Sequence, residues 1–282
     1  MARPRRSADN RASRAGRVQR RANVLQTIER NRAWWETFTL AVMLPGVAGA
    51  VNASGVIALG VYTSNMTGNV AHVGDMLAQG DLSAAWQTLL VVGFFILGAM
   101  AATALIEQAH RSGRARRYVV PLLVEALLIS LFALLSIHSE QHWRFQHQEL
   151  EATLCFAMGL QNAMVTRLSG AIVRTTHLTG ITTDIGIKVV RLLYAYSDRA
   201  RGLPVRAAPD MQRFKLLVTI WLSFLSGATV GPALYLLIGS PAMLLPVVIL
   251  LGLAAFDALL GLGKLFSPPP HVQVSRPPPS TD

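Results

Sequence analysis

The sequence predicts an all-α, polytopic membrane helix bundle. Three observations carry this expectation. Of 282 residues, 52% are hydrophobic and only 15% charged, whereas a soluble domain carries roughly a quarter charged residues. The charge gathers at the N-terminus, around 111–117 and around 191–215. Between these clusters run apolar stretches that reach the roughly 20 residues needed to span the hydrocarbon core as a helix.

Taken in order, the first span is expected over about 38–61, from Phe38 through VAGAVNASGVIAL, with Trp34 and Trp35 before it as an interfacial anchor. The second covers about 85–107, with WQTLLVVGFFILGAMAATALI as its body, and the third about 118–138. The fourth covers about 150–168, around ATLCFAMGLQNAMV; the fifth about 214–238; the sixth about 241–263. Residues 1–33 form a basic cytoplasmic tail without the apolar core of a signal peptide. Residues 265–282 form a proline-rich tail that cannot join a helix bundle. Two segments remain, about 63–81 and 172–193. Both are too polar for a lipid-facing helix and too apolar for an ordinary loop. They read as re-entrant or broken elements packed inside the bundle, since irregular backbone at membrane depth needs a protein or wet surround.

Charge decides whether these two segments cross. With six spans and the arginine-rich tail in the cytoplasm, Arg111, Arg114, Arg116 and Arg117 fall inside, as do Arg191, Arg199, Arg201, Arg206, Arg213 and Lys215. The loop 139–149, with only Arg144, falls outside, and so does the turn at Gly239–Ser240. This obeys the positive-inside rule. Eight spans would put Arg111–Arg117 outside. The expectation is therefore a multi-pass protein of a bacterial cytoplasmic (inner) membrane with both termini cytoplasmic.

The two leftover segments resemble each other. A shift of 112 residues sets Val61 on Val173, Thr63 on Thr175, Thr67 on Thr179, Gly68 on Gly180 and Gly74 on Gly186. Downstream, FFILGA at 94–99 resembles SFLSGA at 223–228, now shifted by 129. Pro121 and Pro246 begin the body of the last helix of each half. The membrane domain, 34–264, thus divides into halves 34–138 and 148–264 with three spans each. An odd number inverts the second half in the membrane, an arrangement found in many secondary transporters.

SNMTGNVAHVG at 64–74, the FFILGA helix, GLQNAMVTRLSG at 159–170 and TTHLTGITTDIGI at 175–187 together resemble the YoaK family of bacterial membrane proteins. The resemblance covers about 35–265. It implies a multi-pass membrane protein and names no substrate. Family members often carry Asp in a V-D-A stretch of the first helix; here it reads Val51-Asn52-Ala53.

Candidate substrate-binding residues cluster in the paired blocks: Asn65, Thr67, Gly68, Asn69 and His72 in the first, Thr176, His177, Thr179, Gly180 and Asp184 in the second. Glycine allows a helix to stop and restart, threonine can bond a freed backbone group, and a restarted helix aims free N–H groups inward. Tight packing of small residues would favour the same residues. The shift pairs His72 with Asp184, a potential proton relay, or leaves His72 and Asp75 at the wet mouth of a cavity. Asn52, Asp75, Glu125, Gln161, Asn162 and Asp257 are candidates for a buried polar network, because ionisable groups inside a membrane are costly.

Several functions are not supported by the sequence. The single cysteine, Cys155, permits neither an internal disulfide nor a multi-cysteine metal site. No catalytic or phosphate-binding motif occurs, so no enzyme, cofactor or metal is expected. A net charge of +11 suggests nucleic acid, but the arginines sit outside the apolar runs with no base-reading residues among them. The expected partners are the lipid bilayer and a small polar or anionic solute moved by a transporter or channel. The alternative is a non-transporting scaffold or assembly protein. Gly93 to Gly98 could support a homodimer or an internal contact.

Overall fold

The computed structural model describes residues 42–114, 116–138, 146–168, 178–203 and 210–260. The tails at 1–33 and 265–282, with Trp34 and Trp35, lie outside the described residues. The described residues form eight α-helices and no strand: α1 (Val42–Leu59), then α2 (Met66–Ala78), α3 (Leu82–Arg111), α4 (Val119–His138), α5 (Gln146–Leu168), α6 (Leu178–Ala200), α7 (Met211–Ile238) and α8 (Leu244–Leu260). A 3₁₀ turn, Ser240–Met243, leads into α8. The chain is an all-α polytopic bundle.

Five elements are long and apolar enough to cross a membrane: α1, α3, α4, α7, and α8 with its 3₁₀ turn. The fourth expected span, α5, falls short because Gln146, Gln148, Glu149, Glu151, Gln161, Asn162 and Arg167 dilute its apolar residues. Its middle is nevertheless enclosed, with Leu154, Cys155, Ala157, Met158 and Leu160 wholly buried. A helix surrounded by protein has no need to show lipid an apolar surface.

Helix ends follow local chemistry. Asp81 caps α3 by accepting from Ala84 N at 2.9 Å, and Asp210 caps α7 by accepting from Arg213 N at 3.1 Å. Gly60 (φ 79°) ends α1, and Gly239 (φ 70°) makes the tight turn expected between α7 and α8. Pro121 and Pro246 stand in the first turns of α4 and α8, where the missing N–H is no loss.

The two leftover segments are helices, α2 and, in its described part, α6. The expectation that both pack inside the bundle needs correcting for the first, since α2 has no buried residue, whereas α6 buries Ile181. Helix α2 lies on the flank of the bundle along α3, and among the described residues none buries its outer side. The second segment does not stop near 193. Helix α6 runs on to Ala200, through part of the stretch expected as loop, because no breaker occurs before Gly202 (φ 69°).

Two seams of small residues hold the spans together. In the first, Val42, Gly46 and Ala50 of α1 meet Ser223, Gly227 and Gly231 of α7. Both series rise by fours, so the two helices are parallel and the same ridge of each makes the contact. In the second, Gly159 lies on Phe95 and Arg167 on Thr103, so α3 and α5 are also parallel. By contrast α1 and α5 are antiparallel: Leu44 meets Gln161, while Gly55 meets Leu154. Helices α4 and α8 are antiparallel as well, with Tyr118 at the start of α4 beside Asp257 near the end of α8.

The seams match contact for contact. Gly49 lies on the carbonyl oxygen of Phe224, and Gly159 on that of Phe95. Gly227 lies on the carbonyl oxygen of Gly46, and Gly98 on that of Phe156. The shift of 129 that takes FFILGA onto SFLSGA takes Phe95 to Phe224 and Gly98 to Gly227. A shift of 110 takes Gly46 to Phe156 and Gly49 to Gly159, and with it Gly49-x-x-Asn52-Ala53 onto Gly159-x-x-Asn162-Ala163. The third helix of each half therefore packs on the first helix of the other half. Gly98 is thus an internal contact, while Gly93 faces open space.

A Cβ on any of these four glycines would fall within 3.0 Å of backbone, closer than real Cβ atoms come. Gly98→Ala and Gly159→Ala are each expected to destabilise by about 1–3 kcal/mol or more. Gly93→Ala and Gly252→Ala, with nothing within 4 Å, are expected to be neutral. Thermal unfolding of the detergent-purified variants checks this, and equal midpoints for all four would contradict the seams.

Candidate functional site

The first Thr-Gly block owes its position to a turn that doubles back. After α1 stops at Gly60, Ser64 N donates to Asn52 Oδ1 at 2.9 Å. Thr63 packs its methyl against Gly55. Asn52 lies seven residues before the end of α1, about 10 Å back along a helix axis. The chain therefore leaves α1 and returns to the depth of its middle. From there α2 starts, with Asn65 Oδ1 accepting from Gly68 N at 3.2 Å as the cap. A Cβ at Gly68 would displace the amide end of the Asn65 side chain that makes this cap. Asn69 Nδ2 holds the turn to Tyr62 O at 3.5 Å.

This turn gives Thr67, Gly68 and Asn69 the expected re-entrant start. Their surroundings differ from the expectation. Asn65 and Thr67 are exposed, and Gly68 and Asn69 are half-buried. His72 and Asp75 are exposed further up α2. In the second block, Thr179 is exposed while Gly180 and Asp184 are half-buried at the start of α6. Thr176 and His177 lie outside the described residues. The proton relay is not assembled: α2 lies along α3 and α6 along α7, and the side chains of His72, Asp75 and Asp184 make no hydrogen bond or ion pair among the described residues.

Of the residues expected in a buried polar network, Asp75 is exposed on α2. Asn52, Glu125, Gln161 and Asp257 are all buried, the last three at 0% exposure. Asp257 Oδ2 accepts from Tyr118 N at 3.1 Å. That serves a free N–H at the start of α4 from a helix far away in sequence. Gln161 Nε2 donates to Leu44 O at 3.4 Å, while its Oε1 has no hydrogen-bond partner among the described residues. Asn162 is half-buried, and its carbonyl accepts from Thr166 Oγ1 at 2.7 Å. Among the described residues neither carboxylate oxygen of Glu125 has a hydrogen-bond partner.

Arg167 joins α5 to α3, bridging to Glu107 at 3.3 Å; Arg111 meets the same carboxylate at 3.1 Å. All three side chains are well exposed, so this cluster adds little stability. Arg174, the other arginine beside the second block, lies outside the described residues. Two open grooves flank the seams, of about 240 Å³ between α1, α7 and α8 and about 330 Å³ between α3 and α5. Neither touches a candidate site residue, and both are mainly apolar, like surfaces that lipid tails fill.

Sequence reasoning missed Ser64, buried on Asn52, and Ser223, whose Oγ donates to Val42 O. The Gly-x-x-Asn-Ala pattern, repeated at 49–53 and 159–163, is the signal that marks Asn52 as a fixed point of the repeat.

Loss of the acceptor at Asn52 leaves the Ser64 N–H buried and unpaired. Asn52→Ala is therefore expected to cost about 1–3 kcal/mol. Asp257→Asn, which keeps an acceptor oxygen, should unfold at a higher temperature than Asp257→Ala. Unchanged melting for Asn52→Ala would mean that the turn is held by something else.

Comparison with known proteins agrees with this architecture. Residues 40–256 match the family model described as "Protein of unknown function (DUF1275)". The chain is 31% identical over 244 residues to the UPF0700 transmembrane protein RA0705 of Rhizobium meliloti (strain 1021), covering 85% of this chain and 93% of that protein. It is 29% identical over 148 residues to the UPF0700 transmembrane protein YoaK of Bacillus subtilis (strain 168), covering 52% of this chain and 64% of the Bacillus protein. No solved structure matches. The chain belongs to the DUF1275 family, whose relatives here are named as transmembrane proteins, in keeping with the YoaK resemblance of its Thr-Gly blocks.

Proposed function

We propose that this protein is a transporter or channel for a small polar or anionic solute, and not an enzyme. The observation that carries the reading is the doubled-back turn at 60–65, which starts α2 at the depth of Asn52. A helix begun inside the membrane presents unpaired N–H groups and a partial positive charge there. Broken helices of this kind form the substrate sites of many secondary transporters.

The relative helix directions support the inverted arrangement. With α1 directed outward, the parallel seam directs α7 outward too. The antiparallel contacts direct α5 inward and, through α5, α3 inward. Helix α8 follows α7 through the tight turn and runs inward, so its antiparallel partner α4 runs outward. The first half is then out, in, out and the second in, out, in, with α2 and α6 not crossing. In this reading the halves rock against each other about the seams, in a bacterial cytoplasmic membrane with both termini inside.

A second reading is a non-transporting scaffold. It draws on the outer side of α6, where Leu193, Tyr194 and Tyr196 are exposed.

Two experiments test these readings. Purified protein in liposomes should take up at least one member of a panel of small polar and anionic solutes, and Asn52→Ala should slow that uptake. No uptake across the panel would favour the scaffold. Single-cysteine labelling on a Cys155→Ala background should reach Ser112→Cys and Ser197→Cys only from inside, and Ser83→Cys and Ser240→Cys only from outside. Labelling of Ser112→Cys from outside would overturn the inverted arrangement.

A further inference from the structure

Among the described residues, Glu125 is the one charged-type side chain that is fully buried with both polar atoms unpartnered. Its place in the fold is special. Tyr118 of α4 meets Asp257 of α8, and the two helices are antiparallel. Seven residues on from Tyr118 is Glu125, and seven residues back from Asp257 is Leu250, so the two stand at the same level. The repeat reaches the same pair independently: the step from Pro121 to Pro246 takes Glu125 to Leu250. Glu125 therefore lies where α4 and α8 pass each other, at the level of the axis that relates the halves. Leu250, its counterpart, is also 0% exposed. Two equivalent positions thus carry a carboxyl group in one half and an aliphatic chain in the other.

An ionised carboxylate cannot rest there as the structure stands. Without donors or a cation its loss of water goes uncompensated. The neighbours supply neither. On α8 the titratable group is Asp257, about 10 Å along the helix and bonded to Tyr118 N. On α5 they are His147 near its start, Glu149, the half-buried Glu151, the buried Cys155 and Arg167; on α4 itself they are Arg117 and Tyr118 just before its first residue and His138 at its last. On α3 they are Glu107, His110 and Arg111, at its exposed end. The 3₁₀ turn and α1 carry none. None of these bonds Glu125. A metal ion would need several further ligands, and no group of three His, Cys, Asp or Glu side chains is gathered among the described residues. The smallest cation, a proton, needs no such shell.

We propose that Glu125 is a proton-carrying site at the centre of the bundle, coupled to the rocking of the two halves. With the proton on, the carboxyl is neutral and the dry packing of α4 against α8 stands. Release gives the proton to water and leaves a carboxylate that must be hydrated, which favours an arrangement with the centre opened. Protonation state and arrangement are then linked, because each state of Glu125 is stabilised by a different one. This names the coupling ion of the transport reading and rests on it.

Dicyclohexylcarbodiimide, an apolar reagent that attacks protonated carboxyls, tests the site on the full chain in liposomes with no solute present. Mass spectrometry of the digested protein is expected to find Glu125 modified in mildly acidic buffer. Modification should fall by about tenfold per pH unit above its midpoint and disappear in Glu125→Gln. The infrared C=O stretch of a protonated carboxyl should show the same loss with rising pH and be missing in Glu125→Gln, which nearly preserves the side-chain shape. Modification that is constant with pH, or a titrating band that survives in Glu125→Gln, would overturn the proposal. The transport reading stands apart from this result. A chain that moves no solute yet titrates at Glu125 refutes transport alone, and a chain that moves a solute while Glu125 fails to titrate refutes only the proton site.

Discussion

Four backbone carbonyls, those of Gly46, Phe95, Phe156 and Phe224, each lie against a glycine of a neighbouring helix. Everything else in the bundle depends on that approach. In a membrane, apolar side chains gain little by leaving lipid for protein, so helices associate through close van der Waals fit. Removing the side chain at Gly49, Gly98, Gly159 and Gly227 lets backbones meet directly. The gain is many small contacts, each worth a fraction of a kcal/mol, and the cost is that the separation and crossing of the helices are no longer adjustable. Because the third helix of each half sits on the first helix of the other, neither half completes its own packing.

That exchange defines the interior. With α3 and α7 on the outside of the seams, α1, α4, α5 and α8 supply most of the buried core, including Val47, Ile129, Phe132, Leu154, Met158 and Leu250. Polar groups enter this interior under restriction. Asn52 and Asp257 each satisfy a backbone N–H that the chain's own turns leave unpaired. Both are thus structural before they are anything else. Glu125 has no such duty, which is why it stands out as a group whose charge state the fold leaves open.

Much of the fold was legible in the sequence because hydrocarbon imposes a length and an apolar composition on any helix it touches. The spans around 85–107, 118–138 and 214–238 emerged with ends displaced by a few residues, since capping by Asp81 and Asp210 depends on polar residues that hydropathy ignores. Helix α5 was readable despite its polar residues, because the apolar run from Leu154 to Leu160 lies at its centre. The site was less legible. The restart at Thr67-Gly68 could be foreseen from a glycine and an asparagine beside a threonine. That α2 would lie on a flank, with His72 and Asp75 exposed, could not be, because exposure depends on which other helices come alongside.

Composition and charge placement alone thus determined that this chain lives in a membrane and roughly where its helices run. Those properties depend on solvent and on local spacing, and each residue type declares them independently of its distant neighbours. Tertiary structure decided the rest: which glycines are seams and which are open, that Asn52 fastens a turn twelve residues on, that Asp257 serves the start of α4, and that Glu125 faces no partner among the described residues. Each of these is a relation between residues far apart in sequence, fixed only when backbones approach closely enough to exclude alternatives.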